Sequence, residues 1–315
     1  MTLALVFPGQ GAQTEGFLHR LPDHDAVRAT LDEASATLGI DVTTLDTADA
    51  LRSTVSVQVA LTVAGVAIAR VLASVGLDAA FHAGLSVGAY AAAVSCGAVA
   101  FGDALRMVRE RAQLMESAWP SGYGLAAISG LNETQIEALA ADTAYAGGDG
   151  ERVYVANVNA PRQIVVAGAD AALDAFAARA LDAGARRALR LAVTVPSHCQ
   201  LLDDATNQLV EWSKDIPFGA PQGIYVDNRG GRPLRSGDAI RDDLATNMSH
   251  TVRWFDALTL MVESGATVFV EAPPGEVLTD ITREHYPEVT AVAATGLAAT
   301  RLAAIVQRRL GDLCA

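Results

Sequence analysis

The pentapeptide Gly84-Leu85-Ser86-Val87-Gly88 fits the pattern G-x-S-x-G. In that pattern a serine sits on a sharp strand-to-helix turn, which pushes its hydroxyl out of a sheet as a nucleophile. The glycines let neighbouring backbone approach closely. The helix that follows offers N–H groups and a partial positive charge to a developing oxyanion. A serine nucleophile needs a base. Six histidines are available: His19, His24, His82, His198, His250 and His285. His198 stands out, because Val195-Pro196-Ser197-His198-Cys199 places a proline at a strand end where two domains are expected to meet. Cys199 beside it reads as a small buried apolar residue. A second glycine-rich segment, Phe7-Pro8-Gly9-Gln10-Gly11-Ala12-Gln13, follows an apolar run. Its spacing does not fit G-x-G-x-x-G, and no Gly-Lys-Ser/Thr makes it a phosphate loop. It can still donate backbone N–H groups to an oxyanion. Arg111, by helix position alone, reads as a solvated charge.

These residues need elements to position them. Leu3 to Phe7 is a short apolar run and predicts a buried strand. Ala26 to Leu38 and Val55 to Val75 have helical spacing. Ala79 to Leu85 predicts a second strand, with a small-residue helix over Val87 to Cys96 directly after it. Asp103 to Ala118 is amphipathic: Leu105, Val108, Ala112 and Met115 share one face. Strand–turn–helix alternation of this kind argues for an α/β sheet covered by helices. From about Gly124 the texture changes to strand Leu125–Ser129, helix Glu133–Ala141, a hairpin of Val153–Asn159 and Gln163–Ala167, helix Ala171–Ala183 and strand Arg187–Val195. That order, βαββαβ, is the ferredoxin-like arrangement. The expected division is therefore a discontinuous large domain, 1–123 and 196–315, with an inserted small domain, 124–195. After the insert, Asp204 to Trp212 and Ile240 to Met248 read as helices and Thr267 to Glu271 as a strand.

The 315 residues carry a formal net charge of −13, with 51% hydrophobic and 19% charged residues. Such a chain can bury a large core without staples, and its acidity argues against nucleic-acid binding. Lys214 is the only lysine. Cys96, Cys199 and Cys314 form no CxxC pair and no disulfide framework, which fits a reducing compartment. The N-terminus lacks the basic region of a signal peptide. The most apolar segment, Val59 to Ala69, is too short to span a bilayer and is closed by Arg70. A soluble, cytoplasmic protein without a membrane partner is expected.

Taken in order, FPGQGAQ, GLSVGAY, the helix carrying Arg111, NVNAPRQIVVAG, VPSHC and IRDDLATNMSHTVRW resemble the malonyl-CoA:acyl carrier protein transacylases nearly end to end. The resemblance implies a hydrolase-like large α/β domain with a mainly parallel sheet and the ferredoxin-like insert. It implies malonyl-CoA and an acyl carrier protein as partners, with no cofactor and no metal. It matches Ser86 to the acylated serine and His198 to its base. Gln10 and Val87 match the oxyanion hole through their N–H groups. Arg111 matches the arginine that pairs with the malonyl carboxylate. Asn247 falls where the family usually has a glutamine whose carbonyl orients the histidine. The family usually reads G-H-S-x-G-E, whereas Leu85 and Ala89 stand here. In this respect the chain looks like the malonate decarboxylase epsilon subunit, whose acceptor is that enzyme's own carrier. The fatty-acid enzyme is the alternative. A serine esterase would need an acid, for which Asp142, Asp149, Asp170, Asp174 and Asp182 are available. Arg186, Arg187 and Arg190 are the expected basic patch for a carrier.

Overall fold

A computed structural model describes residues 2–143 and 152–311. Its large sheet has six strands in the order β10-β9-β1-β2-β7-β8. They are β1 (Thr2–Phe7), β2 (Phe81–Gly84), β7 (Ile224–Val226), β8 (Pro233–Leu234), β9 (Ala266–Glu271) and β10 (Thr290–Ala293). All neighbours are parallel except the edge strand β8, which runs antiparallel to β7.

A central parallel strand is buried on both faces, so it reads as a continuous apolar run. β1 shows how that run is divided. Leu3, Leu5 and Phe7 enter one core, while Ala4 and Val6 enter another. The first core is filled by α1 (Asp25–Leu38), α2 (Thr54–Ser74), α3 (Gly88–Ser95), α4 (Phe101–Ala118), α7 (Asp203–Trp212), α8 (Gly237–Thr246) and α11 (Ala299–Gly311). The second is filled by α9 (Trp254–Glu263) and α10 (Val277–His285).

The small sheet has four antiparallel strands, β3 (Tyr123–Ser129), β4 (Val153–Ala160), β5 (Gln163–Ala169) and β6 (Arg187–Arg190), in the order β4-β5-β3-β6. Helices α5 (Glu133–Thr143) and α6 (Asp170–Asp182) complete a βαββαβ chain order. Alternation splits this sheet too. Ala126, Ile128, Ile164 and Val166 pack under the helices with Ile136, Leu173 and Phe176. Leu125, Val165 and Ala167 point the other way, with Val193 and Cys199. The edge strand β4 is stitched to the large sheet's side of the molecule. Val158 N–H donates to Val252 O and Val252 N–H donates to Ala156 O, both at 2.8 Å.

Three expectations change. The last strand of the insert ends at Arg190: Leu191 N–H still donates to Leu125 O at 2.9 Å, but regular pairing stops there, and Leu191 and Val193 line a cleft. The apolar segment around Val59 belongs to a helix of 21 residues, long and apolar enough to cross a membrane. The fold encloses it instead, with 83% of its apolar window buried. The sequence reading has no counterpart for strands β7, β8 and β10 or for helices α9, α10 and α11.

Candidate active site

The strand–turn–helix around Ser86 is built by close backbone contact. β2 stops at Gly84, and Leu85 N–H donates to Phe7 O at 2.9 Å. A Cβ on Gly84 would lie 2.0 Å from the Gly88 carbonyl carbon, and one on Gly88 would lie 2.2 Å from Phe7 O. Only glycine fits at either position. The crossing leaves Ser86 at φ 55, a left-handed conformation that costs a non-glycine residue on the order of 1 kcal/mol. Helix α3 starts two residues later, so the Val87 N–H belongs to the helix end that has no intrahelical acceptor.

His198 also has positive φ, at 67. Its N–H donates to Met248 O at 2.7 Å. Its Nδ1 lies 2.7 Å from Asn247 O and its Nε2 lies 2.7 Å from Ser86 Oγ. A carbonyl only accepts, so Nδ1 carries the proton and Nε2 is left to accept from the serine hydroxyl. Burial, and then the positive charge of Arg111, push the imidazole down to about 3. At neutral pH it is therefore an unprotonated base. The group that orients it is a backbone carbonyl and not an aspartate of the insert. Asp170 instead pairs with Arg190, which takes one member of the expected basic patch. Asp149, the side chain of Asp142 and Cys314 lie outside the described residues.

Arg111 overturns the reading by helix position. It is 0% exposed, on the face of α4 that turns inward. Its Nη1 donates to Gln58 Oε1 at 2.5 Å. Its Nη2 donates to Asn247 Oδ1 at 3.2 Å and to Ser86 Oγ at 3.3 Å. Its Nε has no partner among the described residues. A buried guanidinium with a spare donor beside a serine hydroxyl has the chemistry to bind an anionic group, since carboxylates accept from that fork in pairs. Asn247 serves three times: its carbonyl holds His198, its Oδ1 accepts from Arg111, and its Nδ2 donates to Ser86 O at 3.4 Å.

Ser86 and His198 open onto a cleft of about 180 Å³ between the two sheets. One wall is the loop Pro8 to Ala12, with Leu85 and Val277; the other carries Leu125, Asn157, Asn159 and Val165. Gln10 lies in that loop, and its side-chain Oε1 accepts from Gln58 Nε2 at 2.9 Å. The cleft sits at the carboxyl ends of parallel strands, where open α/β sheets place their ligands. Leu85 borders it, but Ala89 does not. Ala89 faces the core from the first turn of α3 and is 0% exposed. Cys199 is buried, and its thiol is pushed up to about 12 by that burial, which leaves it inert.

Two polar residues of the site carried no signal in the sequence. Gln58 joins Arg111 to Gln10 from the first turns of α2. Asn228 accepts the Ser86 N–H on its Oδ1 at 2.8 Å. Both are single neutral side chains, far in sequence from the groups they hold.

The acyl transferase domain family matches residues 4–313. The malonyl CoA-acyl carrier protein transacylase of Escherichia coli K12 is 39% identical over 296 residues, covering 92% of this chain and 94% of that one. The Haemophilus influenzae protein of the same name is 38% identical over 303 residues, covering 94% and 96%. The solved structure of the Coxiella burnetii transacylase superposes with a TM-score of 0.91 at 32% identity, covering 98% of each chain. A malonyl-transacylase in complex with a type II PKS acyl-carrier protein superposes with a TM-score of 0.90 at 36% identity, covering 96% of this chain and 99% of that one. With those matches running almost end to end around the serine, histidine and buried arginine, the chain belongs to the acyl transferase domain family, alongside the malonyl-CoA:acyl carrier protein transacylases.

Proposed function

We propose that the protein moves a malonyl group from malonyl-CoA to the thiol of an acyl carrier protein through malonyl-Ser86. The observation that carries this reading is the buried Arg111, whose Nη2 lies 3.3 Å from Ser86 Oγ. His198 Nε2 takes the hydroxyl proton as Ser86 Oγ attacks the thioester carbonyl. The N–H groups of Val87 and Gln10 hold the oxyanion. The tetrahedral adduct expels CoA as a thiolate, which takes the proton from His198. The carrier thiol then gives its proton to His198 and attacks malonyl-Ser86; the adduct collapses by breaking the acyl–Oγ bond, Ser86 Oγ takes the proton back from His198, and malonyl leaves as the carrier thioester. Arg111 holds the free carboxylate throughout. An acetyl group would leave that charge buried and unanswered, which gives selectivity.

For the acceptor, the carrier of fatty-acid synthesis is the better-supported choice. The likeness to the malonate decarboxylase subunit rests on Leu85 and Ala89, and of these only Leu85 borders the cleft that a carrier's arm would enter. Ala89 lies in the core, away from the rim. The bacterial relatives at 37–39% identity are all named malonyl CoA-acyl carrier protein transacylase. The test is kcat/KM for each of the two carriers at matched salt. A tenfold preference for the fatty-acid carrier, about 1.4 kcal/mol, is the expected result. The reverse preference overturns the choice of acceptor, and hydrolysis to free malonate with both overturns transfer itself.

The depressed imidazole has a consequence for pH. The free enzyme keeps its base unprotonated well below the usual imidazole value of about 6.5. The acid limb of kcat/KM for malonyl-CoA is therefore expected below that value. A bound carboxylate neutralises Arg111, which removes one of the causes holding the imidazole down. The acid limb of kcat is then expected at higher pH than that of kcat/KM. Steady-state profiles from pH 4 to 8 check this, and coincident limbs near 6.5 would contradict it.

A further inference from the structure

The Ser86 backbone is strained, and something has to hold it there. The parallel register of β2 with β7 sets Ala83 opposite Val226. Two residues further along β7's end, Asn228 therefore arrives beside the turn that carries the serine. Its Oδ1 accepts the Ser86 N–H at 2.8 Å. Asn228 is itself fixed at both ends of its main chain. Its N–H donates to Asp243 Oδ1 at 3.3 Å, and its carbonyl accepts from Arg253 N–H at 2.7 Å. Asp243 is fixed in turn by the Tyr225 hydroxyl, which donates to its Oδ2 at 2.6 Å. Asn228 is buried, and its Nδ2 has no partner among the described residues, so its single side-chain bond is the one to Ser86.

We infer that Asn228 is a positioning residue for the nucleophile, holding the peptide between Leu85 and Ser86 so that Ser86 keeps its left-handed conformation. One distance and one direction depend on that peptide. One is the 2.7 Å from Ser86 Oγ to His198 Nε2. The other is the direction of the Val87 N–H, one residue on. Without the acceptor, the Ser86 N–H is left buried and unpaired, and the turn is free to relax toward an ordinary backbone conformation. Asn228 touches neither the acyl group nor its carboxylate site, so it acts on the rate of acylation and not on the choice of acyl group.

This inference rests on Ser86 being the acylated residue, so the test starts with the parent protein. Rapid-quench acylation by malonyl-CoA gives two readouts: a burst amplitude, which counts competent molecules, and a rate constant, which reports the geometry in those molecules. If the parent protein is not labelled at Ser86, the functional reading fails. If it is, Asn228→Leu, similar in size but without an acceptor, is expected to lower the rate constant at least tenfold. Its amplitude should stay near that of the parent, and malonyl and acetyl should be affected in the same proportion. Asn228→Asp, which restores an acceptor, is expected to recover part of the rate. If the Leu protein does not fold, Asn228→Ser takes its place, and its rate must fall below that of Asn228→Asp. An unchanged rate constant, with or without a loss of amplitude, assigns Asn228 a structural role only and overturns the inference.

Discussion

Ser86→Ala is expected to abolish covalent malonylation and to lower turnover by about 10⁴-fold or more, the size seen when a nucleophile is removed from a coupled serine–histidine unit. The geometry makes the loss specific. His198 Nε2 has Ser86 Oγ at 2.7 Å as its hydrogen-bond partner, so the base would have no proton to take. The nearby thiol cannot substitute, because Cys199 is pushed up to about 12 by burial and is essentially all thiol at neutral pH. Binding should survive, since Arg111 is held by Gln58 and Asn247 independently of the serine. The measurement is mass analysis of the Ser86 peptide after an acid quench, beside steady-state transfer to carrier. Equal labelling of the Ala protein would sink the assignment.

Arg111→Ala has the second largest expected effect, on selectivity. Its loss strips the malonyl carboxylate of its partner in a fully buried position. Breaking such a pair costs about 3 kcal/mol, or roughly 10²-fold in kcat/KM. The substitution also orphans Gln58 Oε1 and Asn247 Oδ1 and leaves a cavity, so general damage is expected as well. The ratio of kcat/KM for malonyl-CoA to that for acetyl-CoA cancels damage common to both, and this ratio should fall by about two orders of magnitude. The same substitution removes a positive charge that depresses His198. The acid limb of the remaining activity should therefore move to higher pH. An equal loss for both acyl groups would make Arg111 a structural residue.

What could be read from the chain follows from how locally each feature is encoded. β1 was legible because a strand buried on both faces is a bare apolar run, Leu3 to Phe7. The insert was legible because its strands and helices alternate at ordinary lengths. β7 is three residues long and has no room for a pattern. Helix α9 begins without a side-chain cap, and α10 takes its cap from Glu271 at the end of β9 rather than from its own N-cap residue, so no local motif announces either start. The last strand of the insert was overextended because Leu191 and Val193 are as apolar as a strand, though they serve the cleft. In the site, Ser86 and His198 sit in short motifs. Arg111 was the hard case, since one arginine among several on an amphipathic helix looks solvated until the fold closes over it. Gln58 and Asn228 are harder still. Their partners are 53 and 142 residues away, and only tertiary structure pairs them.

The partner of His198 Nδ1 is a main-chain oxygen. A side-chain carboxylate in that role can be deleted by one codon change, whereas a carbonyl is carried by all twenty residue types. Position 247 can thus drift in sequence while the acceptor persists, and an asparagine in place of a glutamine leaves it in place. Vulnerability moves to whatever fixes the path of the backbone there. The His198 N–H bond to Met248 O lies on the next residue of the same segment, so a one-residue insertion or deletion around 247 would disturb both anchors at once. Over evolutionary time such a site should keep at 247 only side chains that can meet Arg111 and Ser86, as an amide does, while the histidine's anchor survives any of them, and it should record length changes hardly at all.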